Sequence, residues 1–202
     1  MKPITMFPTV VGIVEALHSP EIDFNKVKWD VVRKGSTNES EVSLDFNVLS
    51  LYQDWEIRIK FHIKEYIRKY IGIEQDFQIV TSWFTRSQPR TESDRHCHAN
   101  CWLSGVIHLS EGGGDLQFFR PDGNWQIFAP HKPREYNNYN STSWTVPVQQ
   151  NRLLIFPAYI PHRIMRNSGN KIRYSLAFNV IPKGIFGWGD SKFNWPNFLV
   201  DT

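Results

Sequence analysis

Two histidines separated by a single residue form the densest group of reactive side chains in this sequence. They are His96 and His98, in the polar segment 94–101 that precedes an apolar run. In an extended segment both imidazoles point to one face and can reach the same metal ion, while Cys97 points the other way. The pair alone is equally typical of two ordinary histidines. A structural zinc site is disfavoured, because no later Cys supplies a second ligand pair.

A third histidine follows a second apolar run. Leu153–Phe156 reads as a buried strand, and it is followed by two prolines and then by His162. A strand that ends in proline and continues into a histidine presents an imidazole at the rim of a barrel. If His162 converges on the first two imidazoles, the three form an iron-type site with open coordination positions, which oxygen-activating enzymes require.

An arginine within a core-like strand gives a second indication of chemistry. Arg173 and Ser175 share one face of the strand predicted over Ile172–Val180. A buried guanidinium is costly unless an anion pairs with it, and its planar shape suits a carboxylate held by two hydrogen bonds. No Asp or Glu occurs between positions 136 and 189. A structural ion pair is the alternative, but the carboxylate of a bound ligand fits better.

The elements that position these residues change in character near Gly72. Before it, Val10–Leu17 reads as a short helix. The stretch Tyr52–Ile71 repeats apolar residues at helical spacing, although alternation in its first half also suits a strand. Its interleaved charges and its length favour the helix. The repeating residues are Trp55, Ile59, Ile63, Ile67 and Ile71.

After Gly72 the sequence consists of short apolar runs separated by Gly, Pro, Asn and Ser. This pattern predicts an antiparallel sandwich or small barrel. The predicted strands are Phe77–Phe84, Cys101–Leu109, Leu116–Phe119, Leu153–Phe156 and Ile172–Val180. The connection Arg120–Val148 is long and rich in aromatic residues, and it is typical of a lid or binding loop. Trp125 or Tyr139 would then pack on the substrate.

Length and composition limit the class of protein. At about 150 residues per domain, a chain of 202 residues predicts one domain with a sizeable core. Two cysteines exclude a disulfide scaffold and favour a reducing compartment. No signal peptide or membrane span is visible, so we expect a cytoplasmic protein without a membrane partner. A net charge of +3 gives little support to nucleic-acid binding.

The motifs together resemble the Fe(II)- and 2-oxoglutarate-dependent oxygenases. More narrowly, they resemble a group of about this length from marine bacteria and phages. The resemblance covers roughly Gln78–Asn179, with the motifs in the expected order. The motifs are His96-x-His98, Ser104-Gly105-Val106, Gly113-Gly114-x-Leu116-x-Phe118 with Pro121, Phe156-Pro157 before His162, and Arg173-x-Ser175 with Phe178-Asn179.

The resemblance implies a mostly β fold with flanking helices: a double-stranded β-helix, also called a jelly roll, of the cupin-like type. On this basis the chain 1–202 is a single oxygenase domain. It would have a helical N-terminal third as a support region over 1–75 and a jelly-roll core over 76–182. An aromatic C-terminal segment over 183–202 would cap the barrel or line a dimer interface, and the oligomeric state stays open.

The resemblance also implies the cofactors, which are Fe(II), O2 and the cosubstrate 2-oxoglutarate. It places His96 and His162 on the iron, Arg173 on the far carboxylate of the cosubstrate, and Ser175 beside that carboxylate. His108 falls where relatives often have a tyrosine that bonds the cosubstrate. It either does the same or is a satisfied core residue.

The sequence departs from the family pattern at one ligand. His98 stands where Asp or Glu is usual, and three imidazoles leave the metal more positively charged. We favour His96, His98 and His162 as ligands. A register shifted to His98 and Asn100, or a contribution from Asp94 or Asp115, remains an alternative.

We therefore expect an oxygenase that hydroxylates a small-molecule or peptide substrate. Two other functions remain open. One is a three-histidine dioxygenase of the cupin type that needs no 2-oxoglutarate. The other is a jelly-roll binding module without catalysis.

Overall fold

The computed structural model describes residue 4 and residues 8–31, 40–121 and 134–195. Within these ranges one α-helix, α1 (Gln53–Tyr66), continues into a π-helical turn at Ile67–Ile71. Short 3-10 helices lie at Phe24–Lys26, Val48–Leu51 and Gly189–Ser191. No helix in the described ranges is long and apolar enough to cross a membrane.

Strands make up most of the described structure. In chain order they are β1 (Gly12–Val14), β2 (Trp29–Val31), β3 (Glu41–Ser43), β4 (Phe77–Ser87), β5 (Leu103–His108), β6 (Leu116–Phe119), β7 (Ser143–Val146), β8 (Leu153–Pro157), β9 (His162–Ile164), β10 (Arg173–Pro182), β11 (Gly184–Phe186) and β12 (Phe193–Trp195).

The strands form a large sheet, a small sheet and a terminal hairpin. The large sheet has the order β1-β8-β5-β10-β4-β3-β2, and the small sheet has the order β7-β6-β9. Strands β11 and β12 pair with each other. All of these neighbours are antiparallel. The long strands β4 and β10 pair from Arg173 opposite Ser87 to Pro182 opposite Phe77, with one irregularity after Asn179.

Two apolar clusters hold the layers together. The first joins α1 to one face of the large sheet and includes Trp55, Ile59, Ile107 and Leu176. The second lies between the two sheets, and its buried members are Val106, Leu116, Phe118, Val146, Leu154, Phe156 and Ile160. The large sheet is therefore covered by the helix on one side and by the small sheet on the other.

The predicted helix over Tyr52–Ile71 is confirmed. Trp55, Ile59, Ile63 and Ile67 are buried in the helix-side cluster, as their spacing requires. Ile71, however, is 37% exposed and does not join them. The helical segment ends at Gly72, whose φ of +78° is a left-handed conformation that glycine adopts without strain.

The predicted helical N-terminal third is wrong. Val10–Leu17 is not a helix: it contains β1, which pairs with β8 from Gly12 opposite Ile155 to Val14 opposite Leu153. The region before position 76 also holds β2 and β3. The physical reason is the β-branched residues around Gly12, which favour an extended backbone once a partner strand is available. Gly12 also permits close packing, because a Cβ there would lie 2.8 Å from the Tyr66 ring.

The five predicted strands are all present. The first and last extend further than predicted, to Ser87 and Pro182. In its described part, the predicted loop Arg120–Val148 contains one additional strand, β7, opposite β6. Trp125 lies outside the described residues, and Tyr139 is exposed.

Candidate active site

The proposed metal ligands come from two antiparallel segments at one end of the barrel. One segment holds His96 and His98, and the other is the turn between β8 and β9 that leads into His162. The backbone N–H of His96 donates to the His162 carbonyl at 2.9 Å, and the reverse bond is 2.8 Å long. The N–H of His98 donates to the Ala158 carbonyl at 3.0 Å. Backbone pairing therefore fixes where all three imidazoles leave the chain.

The three imidazoles converge. One ring nitrogen from each of His96, His98 and His162 lies within 4.8 Å of the other two. The ring centroids are 5.2 Å apart for His96 and His98, 4.5 Å for His96 and His162, and 5.2 Å for His98 and His162. His162 is buried, His98 is half-buried and His96 is exposed. Such a group can hold a transition-metal ion and leave coordination positions open.

Backbone carbonyls orient two of the rings. The Nδ1 atom of His96 is 2.8 Å from the Asp94 carbonyl, and the Nδ1 atom of His162 is 2.9 Å from the Ile160 carbonyl. A carbonyl only accepts, so each Nδ1 must carry the hydrogen. This leaves Nε2 with a lone pair for a metal, which is the usual arrangement around protein-bound metals.

The site favours neutral imidazoles. Burial, reinforced by the neighbouring His96, lowers the pKa of His98 to about 4. Burial also lowers the pKa of His162 to about 3, although its bond to the Ile160 carbonyl acts in the opposite direction. Both rings are therefore unprotonated at neutral pH, as metal ligands must be.

The alternative carboxylate ligands, Asp94 and Asp115, do not join the group. Among the described residues, the metal-ligating cluster contains three histidines and no carboxylate. Asp115 accepts a hydrogen bond from the Val148 N–H at 3.0 Å instead. Asn100 lies in a turn with a φ of +58°. The backbone carbonyl of Asp94 orients His96, and Asp94 lines the neighbouring cavity.

A cavity of about 520 Å³ opens beside the three histidines. Trp83 stands next to the metal-binding group, with its ring 5.9 Å from that of His98. The apolar side chains in the wall are Val31, Val42, Leu44, Phe46, Trp83, Val106, Leu116, Phe156, Ile164, Ala177 and Phe178. Hydroxyl and carboxyl groups of Asp30, Ser40, Thr85, Ser93, Asp94 and Ser104 also line it. The cavity is large enough for a small molecule or for a side chain of a peptide.

Arg173 lies deeper in the barrel and is 1% exposed. One end of its guanidinium donates to the Ser87 hydroxyl at 2.7 Å, and the other donates to the Gly114 carbonyl. Its Nε–H has no hydrogen-bond partner in the described part of the chain. Burial lowers the pKa of Arg173 to about 10, while Asp115 acts in the opposite direction, so the group stays cationic at neutral pH. In the described ranges no carboxylate forms an ion pair with it.

His108 faces the same deep region. It is 1% exposed and lies opposite Ser175 in the pairing of β5 with β10. Both of its ring nitrogens are buried without a hydrogen-bond partner. Burial, with Arg173 and Arg152 acting in the same direction, lowers its pKa to about 3. Among the described residues His108 therefore lacks the partners that a satisfied core histidine would have.

Four buried polar residues form a group next to the cavity: Ser87, His108, Arg173 and Ser175. Thr85, Val106 and Ala177 line the cavity, and they stand two residues from Ser87, His108 and Ser175 respectively. Side chains two residues apart share a strand face, so the polar group continues the wall of the cavity.

Sequence reasoning missed two partners of Arg173. Ser87 lies opposite it on β4, and Gly114 belongs to the glycine-rich turn before β6. Gly114 has a φ of +92°, and a Cβ there would lie 2.5 Å from the Met165 carbonyl. The glycine run 112–114 was visible in the sequence, but nothing in it indicates which strand it covers.

The fold and the histidine cluster define a class of protein: a double-stranded β-helix that carries a metal-binding site at its rim. A family model described as "Putative 2OG-Fe(II) oxygenase" matches residues 81–179. The match includes the three histidines and Arg173. Over these 99 of 202 residues the chain matches the Fe(II)- and 2-oxoglutarate-dependent oxygenases, a class of dioxygenase whose cofactors are Fe(II), O2 and 2-oxoglutarate. No curated protein sequence matches the chain.

Solved structures share the fold at low identity. The α-ketoglutarate-dependent epimerase SnoN of nogalamycin biosynthesis has a TM-score of 0.59 at 15% identity, covering 88% of this chain and 81% of that chain. A prolyl hydroxylase from Trichoplax adhaerens, in complex with a hypoxia-inducible-factor peptide, has a TM-score of 0.59 at 9% identity, covering 85% and 83%. HygX from Streptomyces hygroscopicus, with nickel, 2-oxoglutarate and hygromycin B bound, has a TM-score of 0.54 at 12% identity, covering 90% and 86%.

Proposed function

We propose that the protein hydroxylates a small-molecule or peptide substrate, with Fe(II) held by His96, His98 and His162. The observation that supports this most directly is the pairing of two features inside one barrel. A three-imidazole cluster stands at the rim, and a buried cation with an unpaired donor stands one layer deeper. Together these two features support a site that combines metal-dependent chemistry with binding of a carboxylate.

The histidines suit Fe(II) by their donor type. Imidazole is a common ligand of iron, and three protein ligands leave positions for two further partners. The bound Fe(II) would be the centre at which O2 is reduced, with 2-oxoglutarate supplying two of the four electrons. The chain's own contribution is to bring the three rings together and to hold two of them, His98 and His162, in the neutral form.

Arg173, Ser175 and His108 would bind the far carboxylate of 2-oxoglutarate. The Nε–H of Arg173 and the ring nitrogens of His108 are buried and unpaired. Leaving such groups without partners is costly, and each is expected to have a partner in the working state. A carboxylate offers two oxygens, which can accept from a guanidinium, a hydroxyl and an imidazole N–H together.

The cavity beside the histidines would receive the substrate. Its largely apolar wall would exclude water around the reacting groups, and Trp83 lies in that wall with its ring 5.9 Å from that of His98. The lid role of the connection 120–148 stays a prediction, since part of that connection lies outside the described residues. The substrate class, peptide or small molecule, is equally a prediction.

The two alternative functions make different demands on Arg173 and on the three histidines. A three-histidine cupin-type dioxygenase has no need of a buried cation with a free donor, and a binding module has no need of neutral rings grouped for a metal. The unpaired Arg173 and His108 atoms therefore favour the 2-oxoglutarate-dependent reaction over both.

Succinate formation tests the proposal. Fe(II)-loaded protein is supplied with 2-oxoglutarate, ascorbate and air, and succinate is followed by NMR. We expect succinate to form only when Fe(II), O2 and 2-oxoglutarate are all present, and to be lost in His162→Ala and Arg173→Ala. Oxygen consumption without 2-oxoglutarate that exceeds that of His162→Ala under the same conditions would favour the cupin-type alternative. Tight Fe(II) binding with neither reaction and no binding of 2-oxoglutarate would favour the binding module.

A further inference from the structure

We infer that Ser87 is a positioning residue that aims Arg173 at the cosubstrate and thereby sets selectivity among 2-oxo acids. This inference rests on the proposed role of Arg173. Ser87 lies on β4, directly opposite Arg173 in the pairing of β4 with β10, and is fully buried. In the described ranges it is one of the two protein groups that accept a hydrogen bond from the guanidinium.

The contact has a defined direction. A guanidinium only donates, so the Ser87 hydroxyl must accept in the 2.7 Å bond from Nη2 of Arg173. The same oxygen is also hydrogen-bonded to Ser40, whose Oγ is 2.6 Å away, and either hydroxyl can donate in that bond. Two partners therefore hold the Ser87 oxygen in place. Because this oxygen accepts from Nη2, its position fixes that end of the Arg173 guanidinium.

The backbone around Ser87 is also fixed. Its carbonyl accepts from the Nδ2 of Asn167 at 2.9 Å, and Asn167 is itself fully buried. The same amide donates to the Lys171 carbonyl at 2.9 Å, close to where β10 begins. One buried amide therefore ties the end of β4 to the start of β10, so that Ser87 and Arg173 cannot shift independently.

The opposite end of the guanidinium is held by the Gly114 carbonyl. Gly112 packs beneath the side chain, since a Cβ there would lie 3.5 Å from the Cβ of Arg173. With one Nη on Ser87 and the other on Gly114, rotation about the end of the side chain is prevented. The unpaired Nε–H is left to point in a single direction.

A fixed anchor selects the length of its ligand. The barrel sets the distance between the metal and the Arg173 guanidinium. Only a 2-oxo diacid of matching chain length can therefore bind the metal at one end and Arg173 at the other. If the Ser87 bond is lost, the guanidinium gains freedom to tilt. Binding of the matching diacid then weakens, and discrimination against longer or shorter diacids falls.

Ser40 connects this anchor with the substrate cavity. Its side chain belongs to the cavity wall, and its N–H donates to the Glu92 carbonyl at 3.1 Å. Two hydrogen bonds therefore link the wall of the cavity to Arg173, by way of Ser87. Removing the Ser40 hydroxyl is expected to produce the same changes as removing that of Ser87, but smaller ones.

The test compares Ser87→Ala with Ser82→Ala. Ser82 is a matched control: it is a buried serine of the same strand, and its hydroxyl accepts from the Leu49 N–H at 3.0 Å on the other face. Binding of 2-oxoglutarate, oxaloacetate and 2-oxoadipate to the Fe(II) protein is measured without O2. We expect Ser87→Ala to raise the Kd of 2-oxoglutarate about 10-fold or more, because a hydrogen bond to a charged group is lost. Its Kd for Fe(II) should change less than about 2-fold.

The preference for 2-oxoglutarate over 2-oxoadipate and oxaloacetate should also shrink in Ser87→Ala and remain in Ser82→Ala. A direct readout uses the metal-free protein. The NMR signal of the Arg173 Nε–H should exchange slowly with water in the wild type and rapidly in Ser87→Ala. In the Arg173→Ala background, Ser87→Ala should have no further effect on the Kd of 2-oxoglutarate.

The outcomes separate the inference from the proposed function. If Arg173→Ala leaves 2-oxoglutarate binding intact, the proposed function itself fails. If Arg173→Ala abolishes binding while Ser87→Ala leaves affinity and selectivity at wild-type values, only the inference on Ser87 is overturned. Equal weakening in Ser87→Ala and Ser82→Ala would also overturn it. Should Ser87→Ala not fold, Ser40→Ala provides the same comparison.

Discussion

Replacing His108 by leucine is expected to stabilise the metal-free protein and to weaken its binding of 2-oxoglutarate. Leucine has nearly the volume of histidine and carries no polar side-chain atom. Both ring nitrogens of His108 are buried without a partner, and an unpaired buried polar group costs about 1–3 kcal/mol. The variant should therefore raise the free energy of unfolding at about pH 7.5 by a similar amount.

The stabilisation should grow as the pH falls. Burial lowers the folded-state pKa of His108 from 6.5 to about 3, so between these values only the unfolded state takes up the proton. Titration of His108 therefore leaves the free energy of unfolding of the wild type unchanged above pH 6.5 and lowers it progressively below that pH. At about pH 5 the loss is ~2 kcal/mol, from about 1.5 pH units at about 1.36 kcal/mol each. The leucine variant does not incur this loss.

Urea unfolding of the metal-free wild type and variant at the two pH values measures both effects. Calorimetry of the Fe(II) proteins without O2 then measures 2-oxoglutarate binding. Loss of a hydrogen bond to a carboxylate should raise the Kd roughly 10- to 150-fold, from about 1.5–3 kcal/mol. His62→Leu is the control. Burial also lowers the pKa of that histidine, but it lies on α1, away from the barrel interior.

Opposite signs for stability and binding are the core of this prediction. A His108→Leu protein that is less stable than the wild type at about pH 7.5 would mean that the imidazole is well satisfied where it lies. If the same protein also bound 2-oxoglutarate with unchanged affinity, the reasoning from the unpaired nitrogens would be refuted.

Further predictions concern the metal ligands and the turn over Arg173. His98→Ala should weaken Fe(II) binding about 10-fold or more. His98→Asp supplies a carboxylate ligand and should retain Fe(II) binding. If both variants bound Fe(II) equally in a metal titration, His98 would not be a ligand. Gly114→Ala should lower the free energy of unfolding by about 2–4 kcal/mol, because a Cβ there would lie 2.5 Å from the Met165 carbonyl at a φ of +92°. Gly72 also has a positive φ, of +78°, but open space surrounds it. Gly72→Ala should therefore lower the free energy of unfolding by only about 1 kcal/mol. Denaturant titrations that give equal losses for these two glycines would contradict the close packing over Arg173.

The sequence predicted those parts of the fold that local patterns determine. The spacing of Trp55, Ile59 and Ile63 identifies α1, because one side of a helix repeats about every 3.6 residues. Short apolar runs likewise identify the strands of the barrel. The segment around Gly12 was misread, because its state depends on pairing with β8, far along the chain. A short β-branched stretch carries no sign of that distant partner.

The same distinction applies to the site. His96 and His98 were identified because strand alternation alone puts them on one face, and His162 because it follows a buried strand. The environment of Arg173 was not predictable to the same degree. Its contacts with Ser87 and Gly114 depend on which strand and which turn lie beside β10. Neither the order of the strands nor the path of the turn follows from local residue patterns.

Anaerobic titration of the Fe(II) protein with 2-oxoglutarate tests the central claim most directly. Chelation of 2-oxoglutarate by iron gives a visible metal-to-ligand charge-transfer band, and no substrate is needed to observe it. We predict a saturable band in the wild type, a large rise in the half-saturating concentration in Arg173→Ala with iron content unchanged, and no band in His162→Ala. Iron bound to the wild type without any band on addition of 2-oxoglutarate would contradict the claim that this barrel joins a three-histidine iron site to a carboxylate anchor.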